Sequence, residues 1–260
     1  MPRLPSLLVG LLALASCGAE PSAPAVPAHA VAAACEQRRF EGSAFTLCRY
    51  DRSRHDIALF LDGRRGRLRS LAALETELGA RAAALRFAMN AGMYDDTGGP
   101  IGLYVEDGRE RHAINRSAGP GNFHMLPNGV FTVAPDGRVA VTKSADYDPA
   151  ARPRWATQSG PMLVVDGALH PAIQPNGQSL HVRNGVGIVD PDTAWFAISD
   201  EPVSFGRFAR LFRDVLGCRN ALFLDGAVSA LWDRPAGRMD TYSRLGPLVA
   251  VFDRVEREEE

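Results

Sequence analysis

The chain has 260 residues, 29 Lys and Arg against 30 Asp and Glu, a net charge of −1, and 46% hydrophobic residues. That balance supplies a sizeable core and no basic excess with which to hold nucleic acid. Four cysteines with no metal-type Cys/His spacing, and no Walker or dinucleotide fingerprint, leave zinc, nucleotide and Rossmann chemistry unindicated.

Arg3 is the one charge ahead of an apolar run over residues 7–15, which closes in Leu14-Ala15-Ser16-Cys17. A basic start, a short apolar centre and small residues at the cut describe a secretory signal, too short to span a bilayer. The Leu-Ala-Ser-Cys ending resembles a bacterial lipobox, which implies cleavage after residue 16 and acylation of Cys17. Each buried acyl methylene contributes about 0.8 kcal/mol, so several chains would anchor the protein stably. Gly18 in place of an aspartate implies sorting to the periplasmic face of the outer membrane. Residues 17–34, rich in Ala and Pro, read as a semi-extended tether. A single catalytic domain is expected over 35–255, with an acidic tail at 256–260. In an oxidising compartment Cys35 and Cys48, close in sequence, are expected to form a disulfide. Cys218, between a helix stop and an apolar strand, is expected to be buried and unpaired.

Within the domain, residues 57–61 read as a strand. Leu71, Leu74 and Leu78 have helical spacing, and Gly79 closes that helix. A buried strand through Phe87, Ala88 and Met89 ends at Asn90. Residues 101–105 start a hairpin turning at Asp107-Gly108, and residues 130–133 and 139–141 form another around Pro135-Asp136-Gly137. Further strands are expected at 162–165, 186–189, 195–198, 222–224 and 248–252. Ser204 caps a helix whose apolar face is Phe205, Phe208, Leu211, Phe212 and Val215, stopped by Gly217. Many hairpins with two helices define an α+β class: a curved, mostly antiparallel or mixed β-sheet with helices packed against it.

Polar residues collect where strands end. Asn90-Ala91-Gly92-Met93-Tyr94 leaves one strand and runs on to Gly102. Gly121-Asn122-Phe123 leads to Pro127-Asn128-Gly129, and Gln158-Ser159-Gly160-Pro161 enters a strand. Arg183-Asn184-Gly185-Val186-Gly187 reads as a Gly-rich loop bearing a guanidinium, and Phe223-Leu224-Asp225-Gly226-Ala227-Val228-Ser229 as a strand delivering a carboxylate and a hydroxyl. Each residue also has a structural reading. An Asp-Gly after a strand commonly fixes a turn. Asn90 either fixes a turn or binds sugar hydroxyls, and Ser229 either caps or touches phosphate. Ser159 lacks the Gly-x-Ser-x-Gly setting of a nucleophile elbow. Asp200 and Glu201 follow a strand as second carboxylates or as helix N-terminal charges. Asp95 and Asp96 offer oxygens to a divalent cation, outside any EF-hand pattern. His124, His170 and His181 lack metal spacing.

These segments, in this order, resemble the phosphodiester glycosidase family, from about Cys35 to Phe252. The likeness is greatest to its bacterial secreted branch; the animal lysosomal N-acetylglucosamine-1-phosphodiester α-N-acetylglucosaminidase, the uncovering enzyme, is a further relative. The animal enzymes carry Leu-Asp-Gly-Gly-Gly-Ser-Ser where this chain has Leu224-Asp225-Gly226-Ala227-Val228-Ser229-Ala230. The resemblance implies hydrolysis of a sugar C1–O bond whose leaving group is a phosphomonoester, with Asp225, Arg183 and Asn90 catalytic. It places Gly92, Gly102, Asn122, Asn128, Ser159, Gly160, Asn184, Asp200, Gly226 and Ser229 at the substrate. The chemistry is consistent with those residue types. A carboxylate stabilises an oxocarbenium-like transition state or acts as nucleophile or base, and a planar guanidinium matches phosphate. Sugar-phosphate or glycan substrates of the envelope or extracellular space are the partners expected, with no cofactor required and a divalent cation left open. Two other readings stand: a metal-dependent phosphodiesterase cutting P–O, and a non-catalytic glycan-binding envelope lipoprotein.

Overall fold

The computed structural model describes residue 1 and residues 33–225, 228–241 and 243–254. The signal segment, most of the tether with Cys17, Gly226 and the acidic tail lie outside the described residues.

Three larger sheets and a two-stranded ribbon of Asp62–Gly63 with Gly66–Arg67 build the domain, and every strand pairing among the described residues is antiparallel. The first sheet has the order Cys35–Phe40, Ser43–Asp51, Thr193–Ser199, Asn184–Asp190, Asn220–Phe223, Met162–Val165, Ala168–Leu169. The second runs Val139–Lys143, Gly129–Val133, Trp155–Ser159, Tyr104–Glu106, Arg109–His112. The third runs Arg238–Met239, Leu231–Asp233, Leu85–Asn90, Leu248–Asp253, His55–Phe60. The expected α+β class is the observed one.

The alternation of side chains along each strand explains how the sheets meet. In the first sheet Cys48, Tyr50, Phe196, Ile198 and Leu222 face the larger core, while Phe45, Leu47, Ala197, Ala221 and Phe223 face the smaller one. Phe196 is the meeting point of all three sheets. Its ring centroid lies 5.4 Å from Phe87 of the third sheet and 5.7 Å from Phe131 of the second. Such tilted and edge-on aromatic pairs add about 0.5–1.5 kcal/mol each beyond their buried area.

Helix α1 (Leu71–Leu78) begins at Ser70, whose side chain accepts from the Ala73 N–H, buries Leu71, Leu74 and Leu78, and ends at Gly79. Helix α2 (Phe205–Arg210) begins at Ser204, whose side chain accepts from the Arg207 N–H. It covers the smaller core with Phe208, and continues into a π turn over Leu211–Val215. The wider turn, closed by Leu216 N–H to Leu211 O at 3.1 Å, departs from regular helical spacing. Val215 is therefore exposed, against the expectation that it lies on the apolar face, and Leu216 is buried in its place.

The turn at Asp107-Gly108 has φ of 48° and 75°, the two left-handed residues of a primed hairpin turn. Asp166-Gly167, at 51° and 88°, repeats it. Cys35 and Cys48 sit opposite one another in register and are joined as a disulfide. Cys218 is a buried free thiol.

The strand expected at 186–189 is present but starts earlier, at Asn184, so residues 184–187 lie in a central strand and not in a Gly-rich loop. A Cβ on Gly187 would stand 2.5 Å from the Phe212 ring and 2.6 Å from Cys218 Sγ. On Gly185 it would stand 2.9 Å from Leu222 O and 3.1 Å from the Phe208 ring. These glycines let helix α2 and its continuation lie directly on the sheet, a packing role glycine takes inside strands.

Candidate active site

Strand ends from the first and third sheets converge on one polar cluster. Asn90, the last residue of Leu85–Asn90, is fully buried. Its Nδ2 donates to Asp225 O at 2.8 Å, and its Oδ1 accepts from Ala230 N at 2.8 Å. Asn184 Nδ2 donates to Asn90 O at 2.9 Å and to Asn90 Oδ1 at 3.1 Å. Ser229 Oγ donates to Val182 O at 3.1 Å and lies 3.4 Å from Asn184 Oδ1. Main-chain bonds complete the weave, from Leu224 N to Asn184 O at 3.1 Å and from Asp225 N to Ala91 O at 3.2 Å. Two buried amides thus set the main-chain position of Asp225. Asn90 works here as a clamp on the segment that carries Asp225 and Ala230.

Asp225 itself is buried, at 9% exposure. Beside it stands Tyr94, whose Oη donates to Arg244 O at 2.6 Å. Burial, and then the Asp225 carboxylate, push the Tyr94 phenol up to about 12, while the Arg69 guanidinium acts in the opposite sense. Arg69 Cζ lies 5.5 Å from the Tyr94 ring centroid. A carboxylate, a phenol and a guanidinium therefore share this edge of the cluster. Tyr94 lay within a segment singled out from sequence, but nothing in the sequence joins Arg69 to it.

Arg183 precedes Asn184 and is 1% exposed. Its Nε donates to Val203 O at 2.9 Å and its Nη2 to Ser179 O at 2.8 Å, and the guanidinium carbon lies 3.6 Å from the Phe205 ring centroid. Burial lowers its pKa to about 10, so the side chain remains a cation at neutral pH. A cavity of about 250 Å³ lies against Ser179 and Phe205, lined also by Met125, Ile173, Gln174 and Gln178.

The other sequence-selected residues fall in two places. A Cβ on Gly92 would overlap Gln158 O and Thr157 Oγ1; on Gly102 it would stand 2.5 Å from Gln158 Oε1, and on Gly160 2.7 Å from Asn128 Cβ. These glycines bring the protein's own segments together. Asn128 is fully buried, donates to Phe123 O at 2.7 Å and accepts from Ser144 Oγ. Ser159 Oγ is buried without a hydrogen-bond partner, and Asn122 is exposed. Asp200 accepts from Thr46 Oγ1 at 2.9 Å and pairs with Arg238 at 3.0 Å. Asp95 uses Oδ1 to accept from Thr97 N, Thr97 Oγ1 and Gly99 N, which closes its own turn and lowers its pKa. Among the described residues no three His, Cys, Asp or Glu side chains gather into a metal site.

The family of this all-antiparallel α+β domain is given by its sequence. Residues 83–236 match the phosphodiester glycosidase family, NAGPA, and the chain belongs to that family. The uncharacterized protein YigE of Escherichia coli K12 is 38% identical over 148 residues, which are 57% of this chain and 58% of that one. The chain thus spans under two thirds of that relative's length. The zebrafish N-acetylglucosamine-1-phosphodiester alpha-N-acetylglucosaminidase catalytic domain, auto-inhibited by its pro-peptide, shares the fold with a TM-score of 0.58 at 16% identity, over 85% of this chain and 82% of that one. A hypothetical protein from Synechocystis gives a TM-score of 0.54 at 14% identity, over 85% and 61% of the two chains. A putative exported protein from Burkholderia pseudomallei gives 0.52 at 13%, over 81% and 74%.

Proposed function

We propose that the protein hydrolyses the sugar C1–O bond of a sugar-1-phosphodiester in envelope or extracellular glycans. The observation that carries this reading is the Asn90–Asn184 amide clamp, which fixes the main chain of a buried Asp225 beside the strand that bears Arg183. In this reading Asp225 acts at C1, where positive charge develops in the transition state, as nucleophile, base or electrostatic partner. Asn90, Asn184 and Ser229 position it. Arg183, cationic and held by carbonyls, supplies fixed positive potential toward the phosphate, which costs no reorganisation during the reaction. Phosphate is a good leaving group, so strong general-acid assistance is not demanded of the site.

The protein is proposed to act as an exported lipoprotein, anchored through Cys17 on the periplasmic face of the outer membrane. The lipobox-like Leu14-Ala15-Ser16-Cys17 supports this. Cys17→Ser should move the protein out of the membrane fraction, and unchanged partition would remove the anchor.

The bond broken is tested with the purified protein and a panel of sugar-1-phosphodiesters in heavy-oxygen water. Water oxygen should enter the released sugar, while the leaving phosphomonoester keeps its own oxygens. Label found only in phosphate would replace this reading with P–O cleavage, and no hydrolysis across the panel would favour a glycan-binding role.

A further inference from the structure

We propose that Arg69 is the guanidinium that receives the substrate's phosphate at this site. The inference rests on the sugar-phosphodiester reading above and adds a residue that lies outside the 83–236 stretch matched to the family.

Arg69 is placed with some strain. Its φ is 58°, in the left-handed region that residues with a Cβ seldom adopt, and such strain is characteristic of functional positions. Two neighbours hold it there. Arg69 O accepts from Leu245 N at 2.9 Å, and the next residue, Ser70, caps helix α1. The side chain then runs beneath the loop that follows Asn90. A Cβ on Gly98 would overlap Arg69 Nη1, so that glycine makes room for the guanidinium. The Tyr94 ring borders it at 5.5 Å.

The loop after Asn90 links this wall to Asp225. Ala91 O accepts from Asp225 N, and Ala91 N donates to Pro247 O at 2.8 Å. Tyr94 Oη is bound to Arg244 O, and a Cβ on Gly246 would overlap the Tyr94 ring. Arg69, the 91–99 loop and the 244–247 stretch are thus packed into one wall, tied to Asp225 through Ala91. The electrostatic coupling agrees, since the Tyr94 phenol feels the Asp225 carboxylate and the Arg69 guanidinium together.

What marks Arg69 as a ligand-binding group is its unmet hydrogen bonding. Nε and Nη1 are both buried without a hydrogen-bond partner. Buried donors without acceptors destabilise a folded chain, so native structures seldom retain them without a role. The loop's own Asp95 is committed to Thr97 and Gly99. By contrast, Arg183 spends Nε and Nη2 on Val203 and Ser179 carbonyls and is closed in by Phe205. Arg69 is only partly buried as a residue, and Nη2 is not closed from solvent as Nε and Nη1 are. Its planar fork suits the two free oxygens of a phosphodiester.

The test uses the full chain, Arg69→Gln, Arg69→Lys, and Arg65→Gln as a control on the exposed 64–67 turn. Dimethyl phosphate and inorganic phosphate are titrated and followed by phosphorus-31 NMR, and hydrolysis of sugar-1-phosphodiesters is measured in parallel. Arg69→Gln should weaken both phosphates by about tenfold or more, and Arg69→Lys by less, because it keeps the charge and loses the fork. Arg65→Gln should match the unaltered chain. Phosphate affinity unchanged in Arg69→Gln, or no phosphate binding by the unaltered chain, overturns the proposal. If Arg69→Gln does not fold, unaltered phosphate affinity in Arg69→Lys overturns it equally. Phosphate binding that depends on Arg69 in a protein that hydrolyses no phosphodiester would sink the hydrolase reading and leave the Arg69 site standing. Hydrolysis indifferent to Arg69 would do the reverse.

Discussion

Replacing Asn90 by alanine is the most direct probe of the amide clamp. The substitution removes the donor to Asp225 O at 2.8 Å and the acceptor for Ala230 N at 2.8 Å. It also removes one of the two acceptors of Asn184 Nδ2, which keeps its bond to the residue-90 carbonyl at 2.9 Å. Two buried main-chain groups therefore lose this partner. At about 1–3 kcal/mol for each, the expected destabilisation is about 2–6 kcal/mol. For a domain of this size that corresponds to a melting temperature lower by about 4–24 °C. Turnover should fall further than stability suggests, because freeing the Asp225 carbonyl displaces a group that acts at C1, and a shift near 1 Å can cost about 100-fold. Urea unfolding monitored by Trp fluorescence, with hydrolysis measured under conditions where the variant is fully folded, separates the two effects. Asn90→Asp is the companion: it keeps oxygen acceptors for Ala230 N but sets an oxygen against Asp225 O, and should be no better than alanine. Stability within about 1 kcal/mol of the parent together with unchanged turnover would refute the clamp.

Other expectations follow from the same geometry. Asp225→Asn should lower turnover by about 100-fold or more with the fold retained, whereas Arg183→Lys should cost stability as well, because it gives up the stacking on Phe205 and the paired carbonyl contacts; kinetics alongside thermal melts distinguish them, and a fully active Asp225→Asn would return that residue to a turn. Gly187→Ala forces a methyl to within 2.5 Å of the Phe212 ring and 2.6 Å of Cys218 Sγ, and should destabilise by about 1–3 kcal/mol in urea unfolding; a neutral result would mean that α2 does not rest on that glycine. Burial pushes the Cys218 thiol up to about 12. A folded-state pKa above the unfolded one gives stability that is present below about pH 8.5, the unfolded thiol value, and is lost as pH rises toward 12. Cys218→Ala should flatten that alkaline decline, and stoichiometric alkylation of the native thiol at pH 8 would contradict its burial.

Much of this protein was legible locally. Ser70, the Leu71/Leu74/Leu78 spacing and Gly79 describe helix α1 because capping and periodicity act within a few residues. Asp107-Gly108 describes its hairpin because positive φ is a property of those two residues. Cysteine spacing and compartment pointed to the Cys35 and Cys48 pairing found in the first two strands. Those strands went unread: Glu36, Gln37, Arg38 and Arg39 are all exposed, so the edge strand has no apolar alternation to detect. The strand expected from 186 was preceded by an apparent Gly-rich loop because glycine signals permissive backbone; only packing against Phe208, Phe212 and Cys218 shows that Gly185 and Gly187 remove side chains from a strand. Val215 followed helical spacing in sequence and was turned outward by the π turn, which no periodicity announces. At the site, the residue types Asn90, Arg183 and Asp225 were visible, but their division into clamp, buried cation and carboxylate depends on contacts between segments 94 and 135 positions apart. Arg69 is the extreme case. Before a helix cap it is an unremarked arginine, and only the folding of the 91–99 loop and the 244–247 stretch over it sets its unmet donors near Tyr94, because long-range packing, not local propensity, decides which polar groups are left without partners.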